Sequence, residues 1–333
     1  MLKCNTIMLK NNKFKLISSL LFIAIAGTML FAVLNARWIG DKITVWQFEP
    51  SAEISAFATE TGMNDNGRFH FYATRPVLAE RAEFNQKCPS YERLIVLGCY
   101  TDGRIFIYNV SDEQLASVRP VTAAHEMMHA VYDRLKSNHR AEVDAMLERQ
   151  LERTTDERIL KIVESYDEIE PGQRWNELHS IFATEAADLS PELEDYYAKY
   201  FSDRTKVVEL AVKYRAVFDD LQRRRDALSA RADELQTAIG QKNAEYETEA
   251  AHLTADIAEF NNCANQVNCF ASQAVFNYER DKLVARQRNL NNLADEINAL
   301  IEEYNRVVED LNALGVEINK LNQSLDSRTP EIE

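Results

Sequence analysis

The sequence predicts an α+β domain set between an N-terminal apolar anchor helix and a long C-terminal antiparallel helical hairpin. Three observations carry this: an uncharged apolar run near the N-terminus, an H-E-x-x-H motif at 125–129, and a leucine-rich heptad pattern after residue 203. The chain has 333 residues and a formal net charge of −15. That balance argues against a nucleic-acid or anionic-membrane surface and mainly implies solubility.

Residues 1–15 form a stub carrying Lys3, Lys10, Lys13 and Lys15 and no acidic residue. The run 16–34 (LISSLLFIAIAGTMLFAVL) has about the length of a helical membrane span. Residues 16–36 therefore read as a single-pass signal anchor. The positive-inside rule keeps the N-terminus cytoplasmic and the bulk of the chain extracytoplasmic. A cleaved signal peptide is the competing reading. The run is long for one, and Leu34 stands where an A-x-A site before Ala36 wants a small residue.

Residues 37–202 form the folded domain. Residues 43–48 alternate like a strand, and 77–86 (VLAERAEFNQ) suggest a short helix. Residues 94–97 and 104–110 are strand-like, with the turn Thr101-Asp102-Gly103 between them. Cys4 falls in the stub, while Cys88, Cys99, Cys263 and Cys269 form two local pairs. These read as disulfides, Cys88–Cys99 and Cys263–Cys269, made in an oxidising compartment. A Cys-rich metal site is the alternative, but neither pair has C-x-x-C spacing. A strand just before the motif is either an ordinary core hairpin or a sheet edge that can hold an extended peptide.

The motif itself lies in Ala123-Ala124-His125-Glu126-Met127-Met128-His129-Ala130. Histidines four apart on a helix share a face, so both imidazoles reach one Zn²⁺. Glu126 then sits beside a metal-bound water and can accept its proton. Residues 121–131 carry no other charge, as a helix beneath a cleft should. Pro120 precedes them, where a first helical turn tolerates it.

A catalytic zinc takes three protein ligands and keeps one position open. The helical stretch 175–185 (WNELHSIFATE) offers Glu177 and Glu185. Here the chain resembles the gluzincin group of zinc metallopeptidases, in which a second helix supplies a glutamate in an N-E-x-x-S form. Asn176-Glu177-Leu178-His179-Ser180 fits it. The resemblance covers roughly residues 104–201. It implies a zincin-like fold, one Zn²⁺ per chain, His125, His129 and Glu177 as ligands, and Glu126 as general base. The acidic residue often found four places after the ligand glutamate is replaced by Ile181, so Glu185 remains an alternative ligand or a partner to one. No histidine stands where the metzincin pattern needs its third, Lys136 lying near that place, and His139 reads as a surface residue. Candidates for an oxyanion donor are His179, Tyr196, Tyr197 and Tyr200. The stretches 62–75 and 165–174 are the expected specificity loops.

Residues 203–328 are a different object. Leu221, Leu228, Leu235, Ile239, Tyr246, Leu253 and Phe260 follow a seven-residue pattern, and residues 290–325 resume it in steps of three and four. Two such runs around a short polar loop predict an antiparallel coiled-coil hairpin with the Cys263–Cys269 pair at its tip. Residues 329–333 read as a disordered tail.

Together these readings predict a membrane-anchored extracytoplasmic zinc metallopeptidase acting on peptide or protein substrates. A coiled-coil partner or a second copy of the chain would engage the hairpin, and no nucleic acid is expected. The rival is a catalytically inert zincin-like adaptor presenting its coiled coil to an envelope or secretion partner. A cell-wall peptide amidase is the further alternative.

Overall fold

The computed structural model describes residues 3–88, 95–169 and 172–328, with side chains from residue 19 onward except those of 167–169. The chain divides into two compact units, Met1–Arg215 with Gln323–Glu333, and Ala216–Asn322. The expected tail 329–333 and the start of the expected strand at Leu94 lie outside the described residues.

The first unit opens with α1 (Lys3–Leu34), α2 (Ala36–Gln47), α3 (Ala52–Glu60) and α4 (Asp65–Ala73). Then come β1 (Val77–Ala79), α5 (Arg81–Lys87), β2 (Gly98–Thr101) and β3 (Arg104–Tyr108). A 3₁₀ turn, Glu113–Leu115, leads into α6 (Val118–Asp133), followed by α7 (Ser137–Arg153), α8 (Glu157–Ile169), α9 (Arg174–Thr184) and α10 (Pro191–Tyr197). The second unit is built from α11 (Thr205–Ala264) and α12 (Gln273–Leu325), whose outer ends belong to the first.

From Ser19 onward α1 carries no charged residue, and Leu20 to Ile23, Met29 to Phe31, Val33 and Leu34 are all exposed. Among the described residues no single helix is long and apolar enough to cross a membrane. The pair Ser19–Leu34 and Ala36–Gln47 passes that test together and is bent by 76°.

Three expected elements take another form. Residues 43–47 belong to helix α2, not to a strand, and Phe48 caps it. Their alternation is short, and Asp41, one turn earlier, binds Arg134 of α6 through both carboxylate oxygens (2.9 and 3.0 Å), which fits the helical repeat. Residues 77–86 split into β1 and α5. Pro76 holds the chain extended, and β1 pairs in parallel with β3, Leu78 opposite Ile107. Of the expected strand 94–97, the described residues 95–97 are irregular, and the strand β2 lies after them at Gly98–Thr101. The turn is a two-residue one: Asp102 and Gly103 both have positive φ (50° and 74°) between antiparallel β2 and β3, while Thr101 belongs to β2 and pairs with Arg104.

The sheet order is β1-β3-β2, which leaves β2 at an edge. Beneath it, α6 is the core helix of the unit. Ala123, Ala124, Met127, Met128 and Ala130 are fully buried among Phe71, Ile105, Ile107, Phe182 and Tyr197. Burying Met127 and Met128 contributes ~1.5–3 kcal/mol each, which helps fix the helix that carries the motif. Arg204, 8% exposed, clamps the C-terminal end of α9: it donates to the carbonyls of Phe182 (3.2 Å) and Ala186 (2.6 Å) and pairs with Glu194. A cation there also complements the helix dipole.

In the second unit, Leu221, Leu235, Leu253, Leu290, Ile297, Val307, Leu314 and Leu321 are buried along the seam between the helices. Cross-helix pairs Arg231–Glu303 (2.6 Å) and Lys242–Glu296 (2.5 Å) run in opposite sequence directions, as antiparallel helices require. Phe260, Phe270 and Phe276 pack with ring centroids 5.2 Å apart beside the Cys263–Cys269 bridge.

Candidate metal centre

The helical repeat and the apolar underside of α6 leave His125 and His129 facing the same way, away from the Met127–Met128 core. Their Nε2 atoms are 3.1 Å apart. Helix α9 packs across α6 and brings Glu177 over both rings, with Oε2 at 3.6 Å from His125 Nε2 and Oε1 at 3.6 Å from His129 Nε2. Two Zn–ligand bonds of ~2.0–2.1 Å at a tetrahedral angle separate the ligand atoms by about 3.4 Å. The three observed separations bracket that value, so these residues could hold such an ion without rearranging. They form the one group of three potential ligands among the described residues.

Electrostatics agree with a cation-binding role. Burial raises the Glu177 carboxyl, but His129, His125 and the Tyr166 hydroxyl outweigh it and hold it below its ordinary range. Glu126 behaves differently. Burial, with a smaller push from Glu177, raises its carboxyl to about 7, against the pull of His129 and of a hydrogen bond from the Tyr100 backbone. Two neighbouring carboxyls are thus driven apart, one kept ionised and the other held near neutrality.

The strand above the motif helix completes the site. Gly98 lies so close to α6 that a β-carbon there would sit 2.5 Å from Thr122 Cγ2 and 2.8 Å from Glu126 Oε1. Cys99, the next residue, is bridged to Cys88 (S–S 2.03 Å) at the end of α5. The site opens into a cleft of about 910 Å³, lined among others by Gly98, Tyr100, Val121, Tyr132, Arg140 and Tyr166.

The other residues singled out in the sequence lie as follows. Glu185 lines the cleft but is held by Arg158 (2.7 Å) and Arg215 (3.1 Å) and is not in the histidine group. His179, Tyr196, Tyr197 and Tyr200 are buried in the core and do not line the cleft. Two residues turn a helix by about 200°, so His179 leaves α9 on the face opposite Glu177. There His179 Nε2 meets Tyr196 OH at 2.9 Å, and Tyr197 OH donates to the His179 carbonyl at 2.9 Å. His139 is exposed on α7. Of the two expected specificity stretches, Ser165, Tyr166, Gly172 and Gln173 line the cleft, whereas 62–75 does not; residues 170 and 171 lie outside the described set.

Tyr166, Gly98 and the Tyr100 backbone are the site groups that the sequence reading missed. Gly98, a lone glycine opening a strand-like run, was the one available signal. Comparison with protein-family models, with curated proteins and with solved structures gives no match to this chain.

Proposed function

We propose that this chain is a membrane-anchored zinc metallopeptidase of gluzincin type, acting outside the cytoplasm. The observation that carries the reading is the convergence of His125, His129 and Glu177 on one point beside a buried glutamate in an open cleft. Zinc held there supplies Lewis acidity, which acidifies water and polarises a carbonyl. Glu126 takes the proton of the attacking water at its carboxylate and returns it to the leaving amine. A carboxyl near neutrality suits both halves of that exchange. Tyr166, whose hydroxyl donates to Glu177 at the cleft wall, is the residue we assign as donor to the developing oxyanion, its single proton turning from the glutamate to do so. An extended peptide adds to the free edge of β2, whose residues 98–100 border the cleft.

The uncharged run 16–34 of α1 is the anchor, with the lysine-rich stub inside. The two cysteine pairs, both at bonding distance, suit an oxidising compartment on the other side.

Elemental analysis of the purified chain, paired with a peptide-cleavage assay, tests the proposal. One zinc per chain is expected, lost in His129→Ala and Glu177→Ala and retained in Glu185→Ala. Glu126→Gln keeps zinc and fold but loses turnover by ~10²-fold or more. A folded, chelator-free chain without zinc overturns the reading and favours the inert adaptor. Cleavage of muropeptides but not of ordinary peptides turns it towards the amidase.

A further inference from the structure

Helix α2 leaves three large apolar side chains in the open: Trp38 (53% exposed), Ile43 (50%) and Trp46 (84%). At 100° per residue they fall within an arc of about 140°, with Lys42 between the tryptophans. The opposite side of α2 packs on α4 and sends Asp41 into a partly buried ion pair with Arg134. The exposed face is therefore not a surplus of the core but a second, outward apolar face. Its direction is fixed by what precedes it, because α2 leaves α1 at 76° after a break at Asn35.

We propose that α2 is an interfacial helix whose Trp38–Ile43–Trp46 face lies in the headgroup layer of a phospholipid bilayer, holding the cleft at that surface to act on polypeptide segments emerging from the membrane. The proposal rests on α1 being the anchor. A helix nearly perpendicular to a membrane span runs nearly parallel to the membrane plane, and tryptophan is the side chain that prefers the headgroup level. The overall charge of −15 makes the contact an apolar one with a zwitterionic surface rather than an attraction to anionic lipid.

The link from this face to the cleft is short. Arg37 of α2 donates to the Asp133 carbonyl (3.1 Å) and pairs with its carboxylate. The Asp133 carboxylate accepts Tyr100 OH (2.9 Å), and Arg134 donates to the same hydroxyl (3.2 Å). Asp133 and Tyr100 both line the cleft. Asp133 follows the ligand His129 by one helical turn, about 6 Å along the axis. One end of the cleft is thus tied directly to the helix that lies on the lipid.

The test uses the full chain with Trp175→Phe, leaving Trp38 and Trp46 as the only tryptophans, reconstituted in phosphatidylcholine vesicles. Retention through an alkaline carbonate wash reports the anchor separately. Lipid brominated near the headgroup end of its acyl chains is expected to quench emission about twofold, more than lipid brominated near the chain end. Retained protein whose emission is not quenched overturns the interfacial helix and leaves the anchor standing. The same result with self-crosslinking of a Trp46→Cys chain assigns the face to a second copy instead. Release by carbonate removes the anchor and the inference with it. A peptide presented on a lipid tether is expected to be cleaved at least about tenfold faster than the free peptide. Equal rates overturn the substrate assignment, while failure to cleave either form overturns the peptidase reading itself.

Discussion

His129 and Asn176 are joined by one hydrogen bond across two helices: the Nδ1–H of the histidine donates to the asparagine side-chain oxygen at 3.0 Å. Asn176 is itself oriented by Gln173, whose side-chain oxygen accepts its amide at 3.2 Å. The bond fixes the histidine tautomer and leaves Nε2 with its lone pair towards Glu177. Asn176→Ala is expected to weaken zinc binding ~10–100-fold, with Asn176→Asp recovering most of it. Competition with a chelator of known affinity measures both. Unchanged affinity in the alanine variant would detach Asn176 from the metal centre.

Gly98 predicts a separable effect on catalysis. A methyl group at this position overlaps Thr122 Cγ2 and the Glu126 carboxylate, so either β2 lifts or the glutamate turns. Gly98→Ala should cost ~1–3 kcal/mol of stability and lower turnover more than zinc content, because no metal ligand is touched. Combining it with Thr122→Ser removes the closest clash and should restore part of both. Thermal unfolding and zinc content, measured beside cleavage rate, distinguish this from simple misfolding.

These two residues mark how far the sequence could be read. The motif helix was legible because its chemistry is local: His125, Glu126 and His129 are set by one helical repeat. Glu177 was legible because the gluzincin resemblance supplied a spacing for a second helix. Gly98, Tyr100 and Tyr166 were not, since each acts through a tertiary contact between segments distant in sequence. The misread stretches have the same origin. Residues 43–48 alternate over too few positions to tell a strand from a helix face, and the Asp41–Arg134 pair that marks the helix spans 93 residues. His179, two residues from Glu177, points away from the ligand position but could have lined the cleft rim; it is buried against Tyr196 instead.

The Cys88–Cys99 bridge closes a short loop that ends in the strand over Glu126. Replacing both cysteines by serine should lower stability by ~2–3 kcal/mol, through the entropy restored to the unfolded chain. Cleavage, on the proposed reading, should fall as well, because Cys99 lines the cleft and follows Gly98, which lies against Glu126. Comparing unfolding and cleavage with and without reductant tests it. A reduced protein of undiminished activity would show that β2 keeps its place without the bridge.

His70 sets an acid limit on stability. Burial foremost, aided by the Arg134 charge, lowers its pKa from 6.5 to about 4. The folded state therefore binds this proton less readily than the unfolded one. The resulting stability is complete above pH 6.5 and is lost as pH falls towards 4, by on the order of 3 kcal/mol. His70→Leu should flatten that limb, though not abolish it, because buried His179 is lowered to about 3 and acts with the same sign. Denaturant unfolding at pH 7 and pH 4.5 gives the comparison. Equal pH dependence in the variant would exclude His70 as a contributor.

Strand β2 brings a hazard along with its use. Among the described residues it pairs with β3 alone, so its other edge carries backbone donors and acceptors with no strand beside them. Such an edge accepts any extended chain, including another molecule of the same protein, and is where sheet proteins begin to aggregate. Here the edge is only four residues long. A visiting strand finds too few partners to template a growing sheet. The same brevity favours a ligand that leaves quickly once cut.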